Sequence, residues 1–234
     1  MTDLHTHILP GMDDGAADLA ESLALLKLEA EQGVDTVVLT PHFYRERENP
    51  GRFLERRKAA FQVLEKNRPP NGPNLLLGAE VAWYPTLADE ARLEELCLGG
   101  TQQLLLELPF QPWTPKLLDQ IYNFASVSGL TPVFAHVERY ARLVGKERLE
   151  ELMAMGFPMQ MNADSLLDMW SRRRRRLEML RRGRWYLGSD CHNLDARPPR
   201  LGRAAAVVRV KLGAEAAGRL LHWQARPEQE GVDP

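Results

Sequence analysis

Two cysteines, Cys97 and Cys191, are all that this 234-residue chain contains, too few for a disulfide framework. It has no apolar run near the roughly 18 residues that a membrane span needs, so direct membrane insertion is not expected. It has no large charge of either sign. Lys and Arg number 30 against 32 Asp and Glu, a formal charge of -2, without the basic surplus on which nucleic-acid binding draws. No leader-like segment separates Met1 from the first motif, and with so little cysteine the expected location is the reducing cytoplasm. There is no internal repeat and no linker-like stretch. Pro69 to Pro73 reads as a rigid surface loop, because strand and helix patterning resumes directly after it.

What is present is an ordinary globular composition, 44% hydrophobic and 26% charged, long enough for one sizeable core. Short β-rich runs alternate with longer amphipathic stretches, the signature of repeated βα units, so the fold class is α/β. Strands are expected over Asp3–His5, Thr36–Thr40, Leu75–Glu80, Gln103–Glu107, Pro132–His136, Met159–Asn162 and Tyr186–Asp190. A first helix over Leu19–Gln32 spaces Leu23, Leu26 and Ala30 at helical intervals and stops at Gly33, which suits a left-handed cap. A last helical stretch runs from about Arg200 to Gln224. The expectation is a single domain over residues 1–224 followed by a flexible tail over 225–234.

The chemistry sits at the strand ends. His5 and His7 close the first expected strand, His42 the second, Glu80 the third, Glu107 the fourth, His136 the fifth, and Asp190 with His192 the seventh. Only the sixth, ending at Asn162, carries no ligand type. In a (β/α) barrel the carboxyl ends of the strands converge on one site. His-x-His at a strand end also places two imidazoles on one side, because side chains alternate with period two. Asp190-Cys-His192 repeats the device and turns Cys191 away. One such residue alone is ordinarily structural. The constellation is what points to metal, and mixed imidazole and carboxylate donors suit Mn²⁺, Fe²⁺ or Zn²⁺ better than Ca²⁺ or Mg²⁺. His222, in the C-terminal helical stretch, stands outside the pattern.

These residues carry a family resemblance. The opening Asp3-Leu-His-Thr-His-Ile-Leu-Pro-Gly-Met-Asp-Asp-Gly15 resembles the first motif of the PHP phosphoesterases, and more narrowly their bacterial protein-tyrosine phosphatase branch, associated with capsular and exopolysaccharide synthesis. The likeness recurs in order at Thr40-Pro-His42, Gly78-Ala-Glu80, Leu106-Glu-Leu-Pro109, Ala135-His-Val-Glu-Arg-Tyr140 and Gly188-Ser-Asp-Cys-His-Asn193. Val137 departs from it, standing where many relatives carry proline. The resemblance implies a distorted seven-stranded (β/α) barrel of PHP type. It also implies a centre of three divalent ions, manganese foremost, with iron or zinc as the other fits. By the same likeness the first ion would take His5, His7, Glu80 and Asp190, the second Glu80, Glu107 and His136, and the third Asp14, His42 and His192. Arg139 and Arg197 fall where the family places phosphate-binding arginines, and the planar guanidinium fork suits phosphate oxygens in its own right.

The activity so implied is hydrolysis of phosphotyrosine by a metal-bridging hydroxide, since coordination can bring the pKa of water to about 7. The substrate would be the phosphotyrosine tail of a membrane-associated tyrosine autokinase that controls polysaccharide synthesis. Asp14, Glu80, Glu107 and Asp190 bring about four negative charges and three divalent ions about six positive ones, a surplus that favours a phosphate dianion. His42 and His192 are candidates for assisting the leaving group. Phe43, Tyr44, Trp83, Tyr84, Phe110 and Trp113 follow the ligand-bearing strands and either stack on a substrate ring or close the mouth of the fold.

Three other readings compete. Cys191 to Arg197 has the Cys-x5-Arg spacing of cysteine-dependent phosphatases, but the segment contains Asp195, lacks glycine and has ligand candidates on both sides of the cysteine. A small-molecule phosphomonoesterase, such as a histidinol-phosphate phosphatase, is the second. A nucleic-acid-binding module is the third, on the strength of the run Arg172 to Arg176 with Arg181, Arg182 and Arg184. Five consecutive arginines, however, surround a helix rather than forming one directed stripe.

Overall fold

The computed structural model describes residues 1–224, and the tail expected over 225–234 lies outside them. The strands are β1 (Thr2–Thr6), β2 (Thr36–Leu39), β3 (His42–Phe43), β4 (Asn74–Leu77), β5 (Glu80–Ala82), β6 (Gln103–Glu107), β7 (Thr131–Phe134), β8 (Met159–Asn162) and β9 (Trp185–Gly188). Between them run α1 (Leu19–Glu31), α2 (Pro50–Asn67), α3 (Pro115–Ser128), α4 (Val137–Tyr140), α5 (Gly145–Ala154) and α6 (Trp170–Met179), with α7 (Leu201–Leu212) and α8 (Ala214–Leu221) at the end. Every strand pair is parallel. The order is β1-β2-β4 in one sheet and β3-β5-β6-β7-β8-β9 in the other.

The α/β class is therefore as expected, but the described strands form two sheets and no closed seven-stranded ring. The expected strand Leu75–Glu80 is divided between β4 and β5, and the expected Thr36–Thr40 is followed by a further short strand, β3. After β2 the chain reaches Pro41, which has no N–H for the ladder, and resumes as β3. After β4 it bends at Gly78, where a Cβ would lie 3.0 Å from Leu98 Cδ2 and 3.3 Å from Thr40 Cγ2. Backbone bonds bridge the breaks, from Gly78 N–H to Leu39 O at 2.9 Å and from Glu80 N–H to Pro41 O at 3.1 Å. The opposite edges also meet. Asp190 N–H donates to His5 O at 2.8 Å and His7 N–H to Cys191 O at 2.9 Å.

Side-chain alternation explains how the core divides. Leu4, Val38, Leu105 and Val133, one each from β1, β2, β6 and β7, pack together with Leu98, Ala135 and Trp223. Their neighbours Val37, Leu39, Leu104, Leu106 and Phe134 point the other way and join the larger cluster under the helices. Strands of both sheets thus share one inner face.

The helices follow their local signals. Asp18 caps α1 by accepting from Glu21 N–H at 2.9 Å, and the Glu21 carboxylate returns to Ala17 N–H at 2.9 Å, close to a capping box. Gly33 at φ +81° ends it. Its buried face is Ser22, Leu25, Leu26 and Glu29, whereas Ala30 is exposed, so the expected stripe through Leu23 and Ala30 is displaced. The reason is Glu29, a carboxylate turned into the protein toward Ser189 and Cys191. The expected C-terminal helix is two, broken at Gly213 with φ +91°.

In α6 only Leu177 is buried. Arg176 donates to Asp168 at 3.0 Å and Arg174 to Glu178 at 3.1 Å, while Arg182 pairs with Glu150. Much of the arginine run is committed to the protein's own acids, which is not the free basic stripe a nucleic-acid surface requires.

Arg57 of α2 is a buried cation held by carbonyls, with bonds to Gly78 O at 2.6 Å and Glu95 O at 2.8 Å. Arg57→Met keeps the stem and strips the donors from two carbonyls beside the β4–β5 break. It should lower the unfolding free energy by about 2–4 kcal/mol, read as a fall in urea midpoint at unchanged slope. An unchanged midpoint would show that the clamp is dispensable.

Candidate metal centre

Nine ligand-type residues converge where the strands end. His5 Nε2 and His7 Nε2 lie 3.1 Å apart. Both face Glu80 Oε2, at 3.1 and 3.3 Å, and Asp190 Oδ1, at 3.6 and 3.4 Å. His42 Nδ1 approaches the same Glu80 oxygen at 3.0 Å, while His136 Nε2 reaches Glu80 Oε1 at 2.8 Å and Glu107 Oε1 at 3.4 Å. Asp14 stands at the outer side, its Oδ1 3.6 Å from His42 Nε2 and 3.5 Å from His192 Nε2.

The donor atoms fall into three groups compact enough for an ion: His5, His7 and Asp190; His42, Glu80 and Glu107; and His7, Asp14, His42 and His192. They overlap the three ligand sets implied by the sequence motifs, with His7 and His42 each reaching a further group. Several buried atoms also lack a hydrogen-bond partner: Glu80 Oε2, His42 Nδ1, His136 Nδ1 and His192 Nε2. His42 Nδ1 and Glu80 Oε2 are close yet misaligned for a hydrogen bond. Of these residues, Glu80, His42 and His192 belong to the compact donor groups, whereas His136 falls in none of the three. Unsatisfied buried atoms so placed fit divalent cations, since orphaned polar atoms otherwise carry an uncompensated desolvation cost.

The supporting shell contains residues that the sequence reading missed. Asp13, beside the expected Asp14, accepts from His7 Nδ1 at 2.7 Å, His42 N–H at 2.8 Å and Gly15 N–H at 3.0 Å. It fixes the tautomer that leaves His7 Nε2 facing inward. Gln160 on β8 does the same for His5, its Oε1 lying 3.2 Å from Nδ1 and also accepting from His136 N–H at 2.6 Å. Asn162, the one strand end without a ligand, donates to Asp190 Oδ2 at 2.7 Å. Gln160 and Asn162 are two apart on a strand, a spacing that could have marked them as inward-facing partners.

Backbone geometry is specialised here too. His136 and Asp190 adopt the left-handed region, at φ 32° and 55°, conformations costly for residues with a Cβ and concentrated at functional sites. Two glycines allow the approach. A Cβ on Gly15 would lie 2.0 Å from His7 O, and one on Gly188 2.7 Å from His5 Cβ.

The electrostatics follow from burial set against close opposite charges. Burial works against charge on Asp190 and Glu80, yet the surrounding histidines hold both carboxyls well below the usual range. Burial likewise disfavours protonated His136, but Glu107 and Glu80 outweigh it and push its pKa up to about 9. His192 goes the other way, down to about 4, through burial and the neighbouring His7, and so is neutral at pH 7 as a ligand must be.

Arg139 and Arg197 flank a pocket of about 320 Å³ with Asn162, Ser189 and Asp190. Arg197 Nη2 donates to Asp190 Oδ2 at 2.6 Å, and Arg139 Nη1 lies 3.7 Å from the same oxygen. The aromatic residues divide. Phe43 and Trp113 are core, and Trp83 packs edge-on to Phe124. Phe110 is 44% exposed and stacks on the His136 ring, with the Arg139 guanidinium 4.6 Å above it. Tyr44 lies beside His42. Cys191 is fully buried, turned toward Glu29, and its thiol is pushed far up by burial and by Glu29. That is the opposite of an activated nucleophile.

The family described as capsular polysaccharide synthesis, CpsB/CapC, matches residues 1–227. The chain is 30% identical over 233 residues to the tyrosine-protein phosphatase CpsB of Streptococcus agalactiae, covering 94% of each. It is 29% identical over 225 residues to the tyrosine-protein phosphatase YwqE of Bacillus subtilis, covering 92% of this chain and 86% of that one. Among solved structures it is similar to one from work on YwqE of Bacillus subtilis and CpsB of Streptococcus pneumoniae, described as metal-dependent tyrosine phosphatases. The TM-score is 0.76 at 27% identity, over 93% of this chain and 90% of that one.

Two outcomes are expected of the centre itself. Asp13→Ala removes the acceptor for His7 Nδ1, and metal affinity should fall about 10- to 100-fold with the far-ultraviolet circular dichroism unchanged; full affinity would remove Asp13 from the design. Because the His136 pKa is raised to about 9, a cation displaces a proton that the ion-free site holds at neutral pH. Metal affinity should therefore strengthen as pH rises toward about 9, with proton release visible by titration calorimetry in buffers of different ionisation enthalpy. Binding independent of pH would contradict this.

Proposed function

The chain belongs to the capsular polysaccharide synthesis family CpsB/CapC, and from that premise we propose that it is a metal-dependent protein-tyrosine phosphatase. The observation that carries the reading is the placement of two arginines, Arg139 and Arg197, on the Asp190 edge of a buried His and carboxylate focus. Cations and guanidinium forks on one pocket make a receptor for a phosphoryl group.

We take the donors to be His5, His7, Asp14, His42, Glu80, Glu107, His136, Asp190 and His192, holding three ions, manganese foremost. When bound, such ions supply water of lowered pKa and neutralise the charge of the phosphoryl group. The chain's own residues do the rest. Arg139 and Arg197 grip the phosphoryl oxygens, and Asp190 aims Arg197 through its 2.6 Å bond. Phe110 beneath Arg139 narrows the guanidinium's freedom, and its exposed part would border a substrate phenol ring. Of the two histidines considered for assisting the leaving group, His192 favours the neutral form. For His42, burial opposes a proton and Glu80 outweighs it, but as metal donors both histidines would be deprotonated at the ligating nitrogen.

Residues 1–224 would form one catalytic domain. The finer reading of the fold, a distorted seven-stranded (β/α) barrel, is supported by the shared inner face of both sheets and the bonds between the β1 and β9 edges. Among the described residues no helix is long and apolar enough to cross a membrane, in keeping with a cytoplasmic enzyme acting on the tail of a membrane-associated tyrosine kinase.

The decisive assay is turnover of phosphotyrosine peptides by protein of measured metal content, with and without added manganese. Chelation should abolish activity and manganese restore it. A protein that binds no metal, or that turns over histidinol phosphate in strong preference, would reverse the reading. Arg139→Ala should lower kcat/KM by about a hundredfold while metal content stays the same. Cys191→Ser should retain most of the activity, and its complete loss with metals still bound would favour a cysteine nucleophile.

A further inference from the structure

Beside the metal centre opens a second pocket of about 300 Å³, and its walls include Asp13 and His42, so the two spaces adjoin. Tyr44, Arg47, Arg52 and Arg56 complete the relevant lining. The metal centre accounts for the first two residues but gives the three arginines no role.

The arginines differ in how they are held. Arg56 is anchored, its Nη2 donating to Met12 O at 2.9 Å and its Nη1 pairing with Glu48. Arg47 lies over the Tyr44 ring, its guanidinium carbon 4.3 Å from the ring centroid, a stacking that orders the fork while leaving its edge free. Arg52 sits in the first turn of α2, which carries no acidic residue there and is capped by Asn49 at 3.0 Å. Among the described residues neither Arg47 nor Arg52 has a carboxylate within ion-pair distance, although many other arginines pair with Asp or Glu, among them Arg45, Arg68, Arg92 and Arg182.

The acids in the pocket wall do not cancel them. Glu48 is taken by Arg56, and Asp13 already accepts from His7, from His42 N–H and from Gly15 N–H. The wall is left with two uncompensated guanidinium groups and the positive end of a long helix, in a cleft that shares Asp13 and His42 with the candidate metal centre.

We infer that this pocket is a specificity subsite for an anionic side chain of the substrate polypeptide close to the phosphotyrosine, gripped by Arg47 and Arg52. The inference rests on the phosphatase reading and adds to it a choice of sequence. Pairing a guanidinium fork with a carboxylate or phosphoryl group gives both direction and strength. A neutral side chain would leave both arginines solvated and gain nothing there.

The test is a phosphotyrosine peptide series in which one glutamate is moved through the flanking positions, with glutamine controls and a matching phosphoserine series, assayed on the manganese-loaded full chain. At one position or more the glutamate peptide should exceed its glutamine control in kcat/KM by at least about tenfold, the scale of one charge-assisted hydrogen bond. The gain should appear in KM and shrink with added salt. The double variant Arg47→Gln/Arg52→Gln should bring the ratio to about one, and Arg52→Lys should restore part of it. A phosphoserine preference larger than the glutamate preference, lost in the same variant, assigns the subsite to a second phosphoryl group rather than a carboxylate. Equal turnover of all peptides by the unaltered protein, or a preference that survives the double variant, overturns the inference. Failure to hydrolyse any phosphotyrosine peptide or p-nitrophenyl phosphate with metal bound would instead overturn the phosphatase reading, so the two failures are distinct.

Discussion

Everything in this molecule is arranged around one buried carboxylate. Glu80 begins a three-residue strand at the bottom of the site, and its Oε2 is approached by His5, His7 and His42 while Oε1 meets His136. A fully buried carboxylate surrounded by four imidazoles is tenable only if positive charge is present, whether as protons on the rings or as cations between them. In the ion-free arrangement the rings supply it, which is why His136 and His7 are raised against their burial while Glu80 and Asp190 are lowered against theirs. Divalent ions would take over that role, and proton release is the necessary counterpart of their binding.

Holding so many donors on one point demands an outer layer that takes no part in ligation. Asp13 and Gln160 each do double duty, fixing an imidazole with one contact and a backbone N–H with another. Asp190 is shared by Asn162 and Arg197 through one oxygen, which leaves the other facing His5 and His7. Below this layer Asp3 accepts from Ser189 N–H at 2.8 Å, tying the first motif to the last. The glycines belong to the same scheme, since Gly15 and Gly188 press against the backbone and Cβ of the two opening histidines. Most of the candidate ligands hang from strand ends whose separations are set by the parallel ladder, with Asp14 on the loop after β1.

The proposed selectivity, by contrast, rests on exposed groups around that floor. Phe110 and Arg139 form one stacked pair, and Tyr44 and Arg47 another, on different sides of the metal focus. Each pairs a ring with a guanidinium held over its face. The pocket proposed for the phosphoryl group lies with the first pair and the basic cleft with the second, so on that proposal a bound polypeptide would be read in two places along its length.

The sequence by itself determined the α/β class and brought forward the candidate ligand residues, because period-two alternation and the position of His, Asp and Glu at strand ends are local properties. Asp3 to Gly15 and Asp190 to His192 were legible for that reason. It did not determine that the chain would bend at Gly78, giving two sheets where one ring was expected. That depends on Leu98 and Thr40 crowding the bend from elsewhere in the chain, whereas the stop at Pro41 is local, a missing N–H. Nor did it single out Asp13 from Asp14, Glu29 from the exposed acids of α1, or Gln160 as the partner of His5. Those assignments were decided by tertiary structure alone, since a hydrogen bond across 155 residues of sequence leaves no periodic trace and exists only once the strands that carry its two ends lie side by side.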